Sequence, residues 1–315
     1  MELCNLAEVG RSSYYYEGST TPRGRKPSQS VLFKGEWVKN ETIIPRIKEL
    51  IAHECFTYGY LKVTKQLQAD GYHINKKKVY RLMKADSLLK KQLIKSSGKR
   101  KFIQFRKPKV EKPLNYFEMD IKYIYIHEES RNAYLLSIID VYSRKIVGHI
   151  FKRSIKKKDV IMLWEKVKPS IPDFKSITIR SDNGSQFIAN DVRGYFYYQD
   201  IKHEFTNIAT PEDDGHIEAF HSILEREFLS RNEYTSFEEM KCAIDRYMHC
   251  YNNERIHGSL KYKTPNKFIE EYNQKTFLEE GLNKKSALLY EASLLGDRTN
   301  VDNLNKITEL CQTLS

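Results

Sequence analysis

The segment ITIRSDNGSQF, residues 177–187, is the best starting point for the fold of the longer part of this 315-residue chain. Its apolar start predicts a short strand over 176–180, and the Ser-Asp-Asn-Gly run after it predicts a turn. Asp182 therefore follows the C-terminal end of a strand, where sites in α/β sheets gather. Taken alone, the segment favours a plain turn.

The residues around this segment predict a mixed sheet. Three successive stretches upstream have strand character, a helix follows them, and shorter elements come after the turn. The predicted strands cover 116–126, 133–141, 145–151, 176–180 and 202–206, and the predicted helices 157–167, 191–198, 214–231 and 237–252. This order indicates an α/β fold in which helices pack on a sheet.

Two further carboxylates stand out. Asp120 lies inside the strand YFEMDIKYIYI, residues 116–126, where a charge needs a partner or a metal because desolvating it is costly. Glu218 lies in DDGHIEAFHSIL, residues 213–224, beside the predicted apolar stripe of a helix. Between Asp120 and Asp182 lie 61 residues, and between Asp182 and Glu218 lie 35.

This ordered set resembles the DDE catalytic core of bacterial insertion-sequence transposases and retroviral integrases. DVYSRKIVG at 140–148 resembles the second and third strands of that family, and YNNERIHGSL at 251–260 resembles its motif after the last core helix. YGY at 58–60 and VYRLM at 79–83 resemble the helix-turn-helix segment of the open-reading-frame-B product of frameshift-expressed elements. The resemblance covers roughly residues 1–270.

The resemblance implies an RNase H-like core, with a mixed five-stranded sheet and helices on both faces, preceded by a small helix-turn-helix-like domain. It implies that Asp120, Asp182 and Glu218 are the catalytic residues and hold two Mg²⁺ or Mn²⁺ ions, since hard cations prefer oxygen ligands. The implied reaction is cleavage and transfer of DNA strands at element ends. Asn183 and Gly184 are expected to support the turn at Asp182, although ordinary turn geometry accounts for them as well.

Charge points to the same partner. Residues 1–112 carry 25 basic and 10 acidic side chains, whereas residues 113–315 carry 28 and 31, so the excess positive charge lies in the first part. Such an excess favours binding to a polyanion, with a solvated surface as the alternative. The residues expected to bind DNA are Lys76, Lys77, Lys78 and Arg81 at the start of a helix, Arg100 and Lys101 in a basic linker, and Arg226, Arg255 and His257. For Arg255 and His257, a structural role near a helix end is an equal alternative.

Composition bounds the rest of the organisation. The five scattered cysteines favour reduced structural thiols, and no apolar stretch is long enough for a membrane span, so a cytoplasmic, nucleoid-associated protein is expected. Little core is expected before residue 40. The predicted parts are a segment and linker (1–40), a helix-turn-helix-like domain (41–90), a basic linker (91–112), the catalytic core (113–272) and a helical tail of unknown role (273–315).

The sequence departs from the family pattern in two places. Position 225, seven residues after Glu218, is Glu where the family has Lys, with Arg226 beside it, and residues 213–215 read Asp-Asp-Gly instead of Asp-Asn-Ala. The upstream frame-A segment is also absent from this sequence. The partners implied by the resemblance are terminal inverted repeats, target DNA, further copies of the chain and the frame-A product. The alternative function is an inactive or regulatory relative that occupies element ends without catalysis.

Overall fold

The computed structural model describes residues 28–90, 110–206 and 215–294, which divide into two units. The described residues of the smaller unit are 28–50 and 59–90. Those of the larger unit are 51–58, 110–206 and 215–294. Arg100 and Lys101 fall outside the described residues.

The smaller unit contains three helices and a small sheet. The helices are α1 (Ile44–Ile51), α2 (Tyr60–Ala69) and α3 (Lys76–Ala85), and a 3₁₀ turn at Asn40–Ile43 precedes α1. Asn75 caps α3, because its side chain accepts a hydrogen bond from the Lys78 N–H at 2.9 Å. The three helices agree with the helix-turn-helix-like domain expected here.

A hairpin before the helices differs from the expectation of little core ahead of residue 40. Strands β1 (Ser30–Phe33) and β2 (Glu36–Lys39) pair antiparallel, and β1 also pairs with β3 (Tyr72–His73). Val31 is fully covered, and the Lys78 Nζ donates to the Ser30 carbonyl at 2.6 Å. Residues 30–39 thus belong to the smaller unit, because the hairpin pairs with β3 and is held by Lys78, both about 40 or more residues further along the chain.

The larger unit is built on a five-stranded mixed sheet in the order β6-β5-β4-β7-β8. Strands β4, β5 and β6 pair antiparallel, while β7 and β8 continue from β4 in parallel. The strands are β4 (Tyr116–Ile126), β5 (Arg131–Asp140), β6 (Ile146–Lys152), β7 (Thr178–Ser181) and β8 (Lys202–Phe205). This confirms the predicted sheet, with element ends within a few residues of those expected.

The parallel side of this sheet is joined by a polar cluster around Glu204 on β8. Its carboxylate accepts hydrogen bonds from the Tyr116 hydroxyl on β4 at 2.8 Å and from Arg180 on β7 at 3.0 Å, and Lys202 lies 2.7 Å away. Although burial raises the pKa of Glu204, the bonds from Lys202, Tyr116 and Arg180 hold it at about 2.

One face of the sheet carries an apolar core. Alternate β4 residues, Phe117, Met119 and Ile121, pack against α4 (Lys157–Val167) and α6 (Asn190–Tyr198). Trp164 of α4 is completely buried at the centre of this layer, and its ring meets Phe117 edge-on at 5.6 Å. The short helix α5 (Ser185–Ile188) closes the layer beside the 177–187 segment.

The opposite face is covered by α7 (Gly215–Glu227) and α8 (Phe237–Asn253). Apolar and aromatic side chains at helical spacing join them: Phe220 of α7 meets Tyr251 of α8 edge-on at 5.0 Å. Helices therefore cover both faces, as expected for an RNase H-like core. Helix α9 (Pro265–Leu294) follows, and of the expected helical tail only the part up to residue 294 is described.

Residues 51–58 belong to the larger unit, where they pack on the C-terminal end of α8. Cys55 is joined to Cys250 by a disulfide, and the Tyr58 hydroxyl accepts a hydrogen bond from the Ile256 N–H at 3.0 Å. The expectation that the cysteines are reduced thiols is wrong for this pair, because the fold brings together two positions 195 residues apart. Among the described helices, none combines the length and apolarity that a membrane span requires.

Candidate active site

The register of β4 and β7 places Asp120 and Asp182 side by side. The two strands run parallel with Met119 opposite Ser181; Asp120 is the next residue of β4, and Asp182 is the first residue after the end of β7. Since paired strands lie about 4.8 Å apart, the two aspartates are neighbours along the backbone edge of the sheet. The 61 intervening residues form β5, β6 and α4, which return the chain to the neighbouring strand.

The pKa values of the two carboxyl groups differ in direction. Burial raises the pKa of Asp182, and the nearby negative charge of Asp120 raises it further against the hydrogen bond from Gly184. Burial also acts to raise the pKa of Asp120, but the contact with His221, whose Nδ1 lies 3.4 Å from the Asp120 Oδ2, leaves it below its ordinary value. The two acids therefore interact electrostatically.

The turn after Asp182 holds its carboxylate. The Gly184 N–H donates to the Asp182 Oδ1 at 2.9 Å, and the Asn183 Nδ2 donates to the Thr206 carbonyl at 3.0 Å. Gly184 has a φ of −59°, so a left-handed backbone is not what requires glycine there. A Cβ at position 184 would lie 3.0 Å from the Asp182 Oδ1, so glycine is favoured there by the close approach of this carboxylate.

Helix α7 runs along the polar face of β4. Glu118 contacts the start of α7, Asp120 contacts His221, and Lys122 contacts Glu225. Two residues of a strand advance about 6.7 Å, and four to five residues of a helix advance about 6–7.5 Å. Strand and helix thus keep matched spacing over three contacts, and this alignment places α7 beside the aspartates.

Glu118 is a site residue that the sequence argument missed. It is completely buried, and its Oε2 accepts hydrogen bonds from the backbone N–H groups of His216 and Ile217, both at 2.9 Å. Its Oε1 lies 2.7 Å from the His216 Nδ1. Burial raises the pKa of Glu118 to about 7, against the lowering effects of the Ile217 bond and of nearby arginines. The signal was available: a Glu inside a strand needs a partner for the same reason as Asp120.

Glu218 lies on the exposed part of the first turns of α7, three residues before His221. Within the described residues, one set of three metal-ligating side chains has all its donor atoms within 4.8 Å of one another, namely Glu54, Cys55 and Cys250. The sulfurs of that set are bonded to each other. The oxygens of Asp120, Asp182 and Glu218 therefore do not all reach that distance.

The residues expected to bind DNA fall into two groups. Lys76, Lys77 and Arg81 are exposed in the smaller unit, where they line a depression of about 560 Å³ together with Tyr60 and Tyr80. Arg226 is exposed in the last turn of α7 in the larger unit. These four cations are available to a polyanion.

The other three described residues of this set are buried, which corrects the expectation. The Lys78 ammonium is used by the Ser30 carbonyl, and burial lowers its pKa. Arg255 is 3% exposed and makes two hydrogen bonds of 2.8 Å to the carboxylate of Glu227, itself 6% exposed. His257 is 6% exposed beside Arg255. The buried side chains of Lys78, Arg255 and His257 make their contacts inside the fold.

Comparison with known families agrees with this geometry. Two family profiles described as "Integrase core domain" match residues 110–211 and 199–265, and one described as "HTH-like domain" matches residues 39–95. Residues 110–265 are thus similar to integrase core domains, and residues 39–95 to an HTH-like domain. The resemblance to DDE transposases and retroviral integrases is confirmed by these matches and by the insertion-sequence relatives.

Two relatives are similar over most of the chain. The InsK protein of insertion sequence element IS150 from Escherichia coli (strain K12) is 26% identical over 288 residues, which cover 88% of this chain and 94% of InsK. The transposase of IS904 from Lactococcus lactis subsp. lactis (strain IL1403) is 26% identical over 79% of this chain and 99% of its own. A structure of the HTLV-2 integrase catalytic core domain in complex with magnesium aligns with 50% of this chain and 97% of its own, at 15% identity and a TM-score of 0.38.

Proposed function

We propose that this protein is a transposase that cleaves DNA strands at the ends of an insertion sequence and joins them to another phosphodiester. The observation that carries the proposal is the pairing of Asp120 with Asp182 on neighbouring parallel strands, next to the helix that bears Glu218. Relatives of similar length are named as insertion-sequence proteins and as a transposase. Water would first hydrolyse a phosphodiester at the element end and release a 3′-OH. That 3′-OH would then attack a second phosphodiester, whose own 3′-oxygen would leave.

The donor set fits divalent metal. Carboxylate oxygens are the ligands that Mg²⁺ and Mn²⁺ prefer. Burial and, to a smaller extent, the charge of Asp120 raise the pKa of Asp182, and a bound cation would favour its charged form. Asp120, Asp182 and Glu218 would hold two such ions. When bound, they supply an activated attacking oxygen and a stabilised leaving oxygen. Because the three carboxylates do not all converge here, binding would include an inward adjustment of Glu218.

The other residues of the site fix the positions of these acids. Glu118 holds the first turn of α7, and therefore the level of Glu218 along β4. His221 stabilises the charged form of Asp120, and the Gly184 N–H orients Asp182. Each contact reduces the freedom of a carboxylate before DNA binds, which is how an enzyme prepares a site for phosphoryl transfer.

DNA would contact both units. The exposed cations Lys76, Lys77 and Arg81 of the smaller unit suit the backbone of the element end, and the tyrosines beside them add apolar contact. Paired ends would be held by at least two copies of the chain, with the frame-A product as a further partner. Arg100 and Lys101, outside the described residues, remain proposed DNA contacts on charge alone.

The test is strand cleavage and joining on a duplex that carries the terminal inverted repeat of the encoding element, with Mg²⁺ or Mn²⁺. The full chain is assayed alone and with the frame-A product. We expect joining by the wild type, and a loss of at least about a thousandfold in Asp182→Asn and Glu218→Gln. Asp191→Asn, a surface carboxylate paired with Lys157, is the matched control and should keep full activity.

If the wild type shows no metal-dependent joining, either alone or with the frame-A product, the proposed enzymatic activity is rejected. If the wild type then still bound the end duplex, the protein would instead be a regulator that occupies element ends. Equal activity of the wild type and Asp182→Asn would reject the assignment of the site, even with joining observed.

A further inference from the structure

The third contact between β4 and α7 lies beside the proposed metal site. The Lys122 Nζ is 3.0 Å from the Glu225 Oε2, and the side chain of Lys122 is 18% exposed while that of Glu225 is 50% exposed. Lys122 is two residues beyond Asp120 on the same face of β4, about 6.7 Å along the strand. A cation is thus held at the edge of the carboxylate cluster, that is, of Asp120 and Asp182.

Lys122 is part of the wall of a depression of about 440 Å³. The other residues of the wall come from α7 and the turn after it: His221, Ser222, Glu225, Arg226 and Ser230. His221 also contacts Asp120, so the depression and the carboxylate cluster share a side chain. The wall offers two cations and two hydroxyls, and all four groups can donate hydrogen bonds to phosphate oxygens.

His221 gives an independent indication of a ligand. Its side chain is 10% exposed, and among the described residues its Nε2 has no hydrogen-bond partner, while its Nδ1 faces Asp120. A buried ring nitrogen without a partner is costly unless something else satisfies it. Because this nitrogen is closed off from solvent, an oxygen of a bound group would reach it only after the ring turns towards the depression, whose wall it forms.

The ion pair itself is suited to exchange. A pair in which one partner is half exposed contributes little to stability, so Lys122 can leave Glu225 at small cost. Glu225 has a second partner, because the Ser230 hydroxyl donates to its Oε1 at 3.2 Å. The carboxylate therefore stays anchored at the rim when Lys122 turns to another anion.

We propose that Lys122, with Ser222, Arg226 and His221 around it, binds a backbone phosphate next to the phosphodiester that lies at Asp120 and Asp182. Glu225 holds Lys122 in place until DNA binds. In this chain the cation at the metal site thus comes from the strand, at Lys122, and not from helix position 225. The inference rests on the proposed function, since it identifies DNA as the ligand.

The test measures binding instead of turnover. The full chain carrying Asp182→Asn is titrated with the element-end duplex and with an unrelated duplex in Ca²⁺, at several salt concentrations. Lys122→Met should raise the Kd about three- to tenfold and reduce the slope of log K against log salt by about 0.9, the loss of one phosphate contact. Lys122→Arg should keep both values, and Glu225→Gln should leave the Kd unchanged or lower it.

The matched control is Lys157→Met, which removes the lysine of another exposed ion pair, with Asp191. It should change neither the Kd nor the slope. A purely structural Lys122–Glu225 pair would show itself as equal shifts of the thermal midpoint in Lys122→Met and Glu225→Gln, with wild-type Kd and slope in both. That result would overturn the inference.

The two duplexes identify the source of the phosphate. A loss confined to the element-end duplex assigns the contact to the donor end, and an equal loss on both duplexes assigns it to DNA of any sequence; either result supports the site. The proposed function fails separately. If wild type does not join strands but Lys122→Met still shows the binding defect, the phosphate site stands and the transposase proposal falls.

Discussion

Replacement of Glu118 perturbs the link between β4 and the first turn of α7. Glu118→Ala removes the acceptor of two backbone N–H groups, that of Ile217, which is buried, and that of His216, which is partly buried. An unsatisfied buried donor costs about 1–3 kcal/mol, and a partly buried one costs less because water can reach it, so we expect a loss of about 2–4 kcal/mol in unfolding free energy. The start of α7 should open locally, and Glu218 should lose its place beside the aspartates.

The conservative variant separates geometry from charge. In the wild type one oxygen, Oε2, accepts both backbone bonds, so the carbonyl oxygen of Glu118→Gln can replace it, and the amide can donate to the His216 Nδ1. Since burial already raises the pKa of Glu118 to about 7, the loss of charge is small near neutral pH. We expect Glu118→Gln to lose no more than about 1 kcal/mol.

Amide hydrogen exchange over residues 215–219 checks the mechanism without relying on activity. A local loss of about 2 kcal/mol corresponds to roughly thirtyfold faster exchange in Glu118→Ala, and Glu118→Gln should exchange nearly as wild type. In the joining assay, the rate at saturating DNA should fall in Glu118→Ala while the Kd for DNA stays within about twofold. The positioning role would be refuted by wild-type exchange at 215–219 in Glu118→Ala, or by equal damage from Ala and Gln.

Three further predictions concern the stability of the larger unit, measured by urea unfolding. Arg255→Met should destabilise it by about 3–5 kcal/mol because the buried Glu227 loses its partner, and adding Glu227→Leu should restore most of that loss; an unchanged midpoint would show that the pair is not buried in solution. Gly148→Ala should cost about 1–3 kcal/mol, since the new Cβ would lie 2.5 Å from the Val167 Cγ2; wild-type stability would contradict this close contact of β6 with α4. Glu204, whose pKa is held at about 2 in the fold, contributes stability above pH 4.5 that is lost as the pH falls towards 2. Glu204→Gln should therefore be about 2 kcal/mol less stable at pH 7 but nearly equal to wild type at pH 2, and a gap that stays constant with pH would refute the assignment.

Much of the larger unit follows from local pattern. The alternation in residues 116–126 and the helical spacing in 157–167 gave elements whose ends agree with those of the structure, because side-chain periodicity reflects which face is covered. The hairpin at residues 30–39 was not predicted. Its partner strand lies at Tyr72–His73, and short strands gain most of their stability from such distant pairing.

In the candidate site, too, some features could be predicted from local sequence and others depend on contacts between distant residues. Asp120 could be chosen from sequence because a carboxylate inside a strand is unusual, whereas Asp182 was chosen for its place in the ordered set that resembles the DDE core. Their adjacency required the β4–β7 register. Glu118 was missed, although the same argument applies to it, because its partners are the backbone N–H groups of His216 and Ile217, about 100 residues away. Backbone donors leave no trace in residue identity.

The sequence by itself determined the order and type of most elements, the three carboxylates and the excess of positive charge before residue 113. Only the tertiary structure decided which cations are exposed and which are engaged inside the fold. Lys78 and Arg255 make their contacts with partners inside the fold. Lys122 was not singled out from sequence, yet it is held at the edge of the carboxylate cluster. The physical reason is that charge is a property of a residue, but its availability depends on burial and on partners that folding brings from distant parts of the chain.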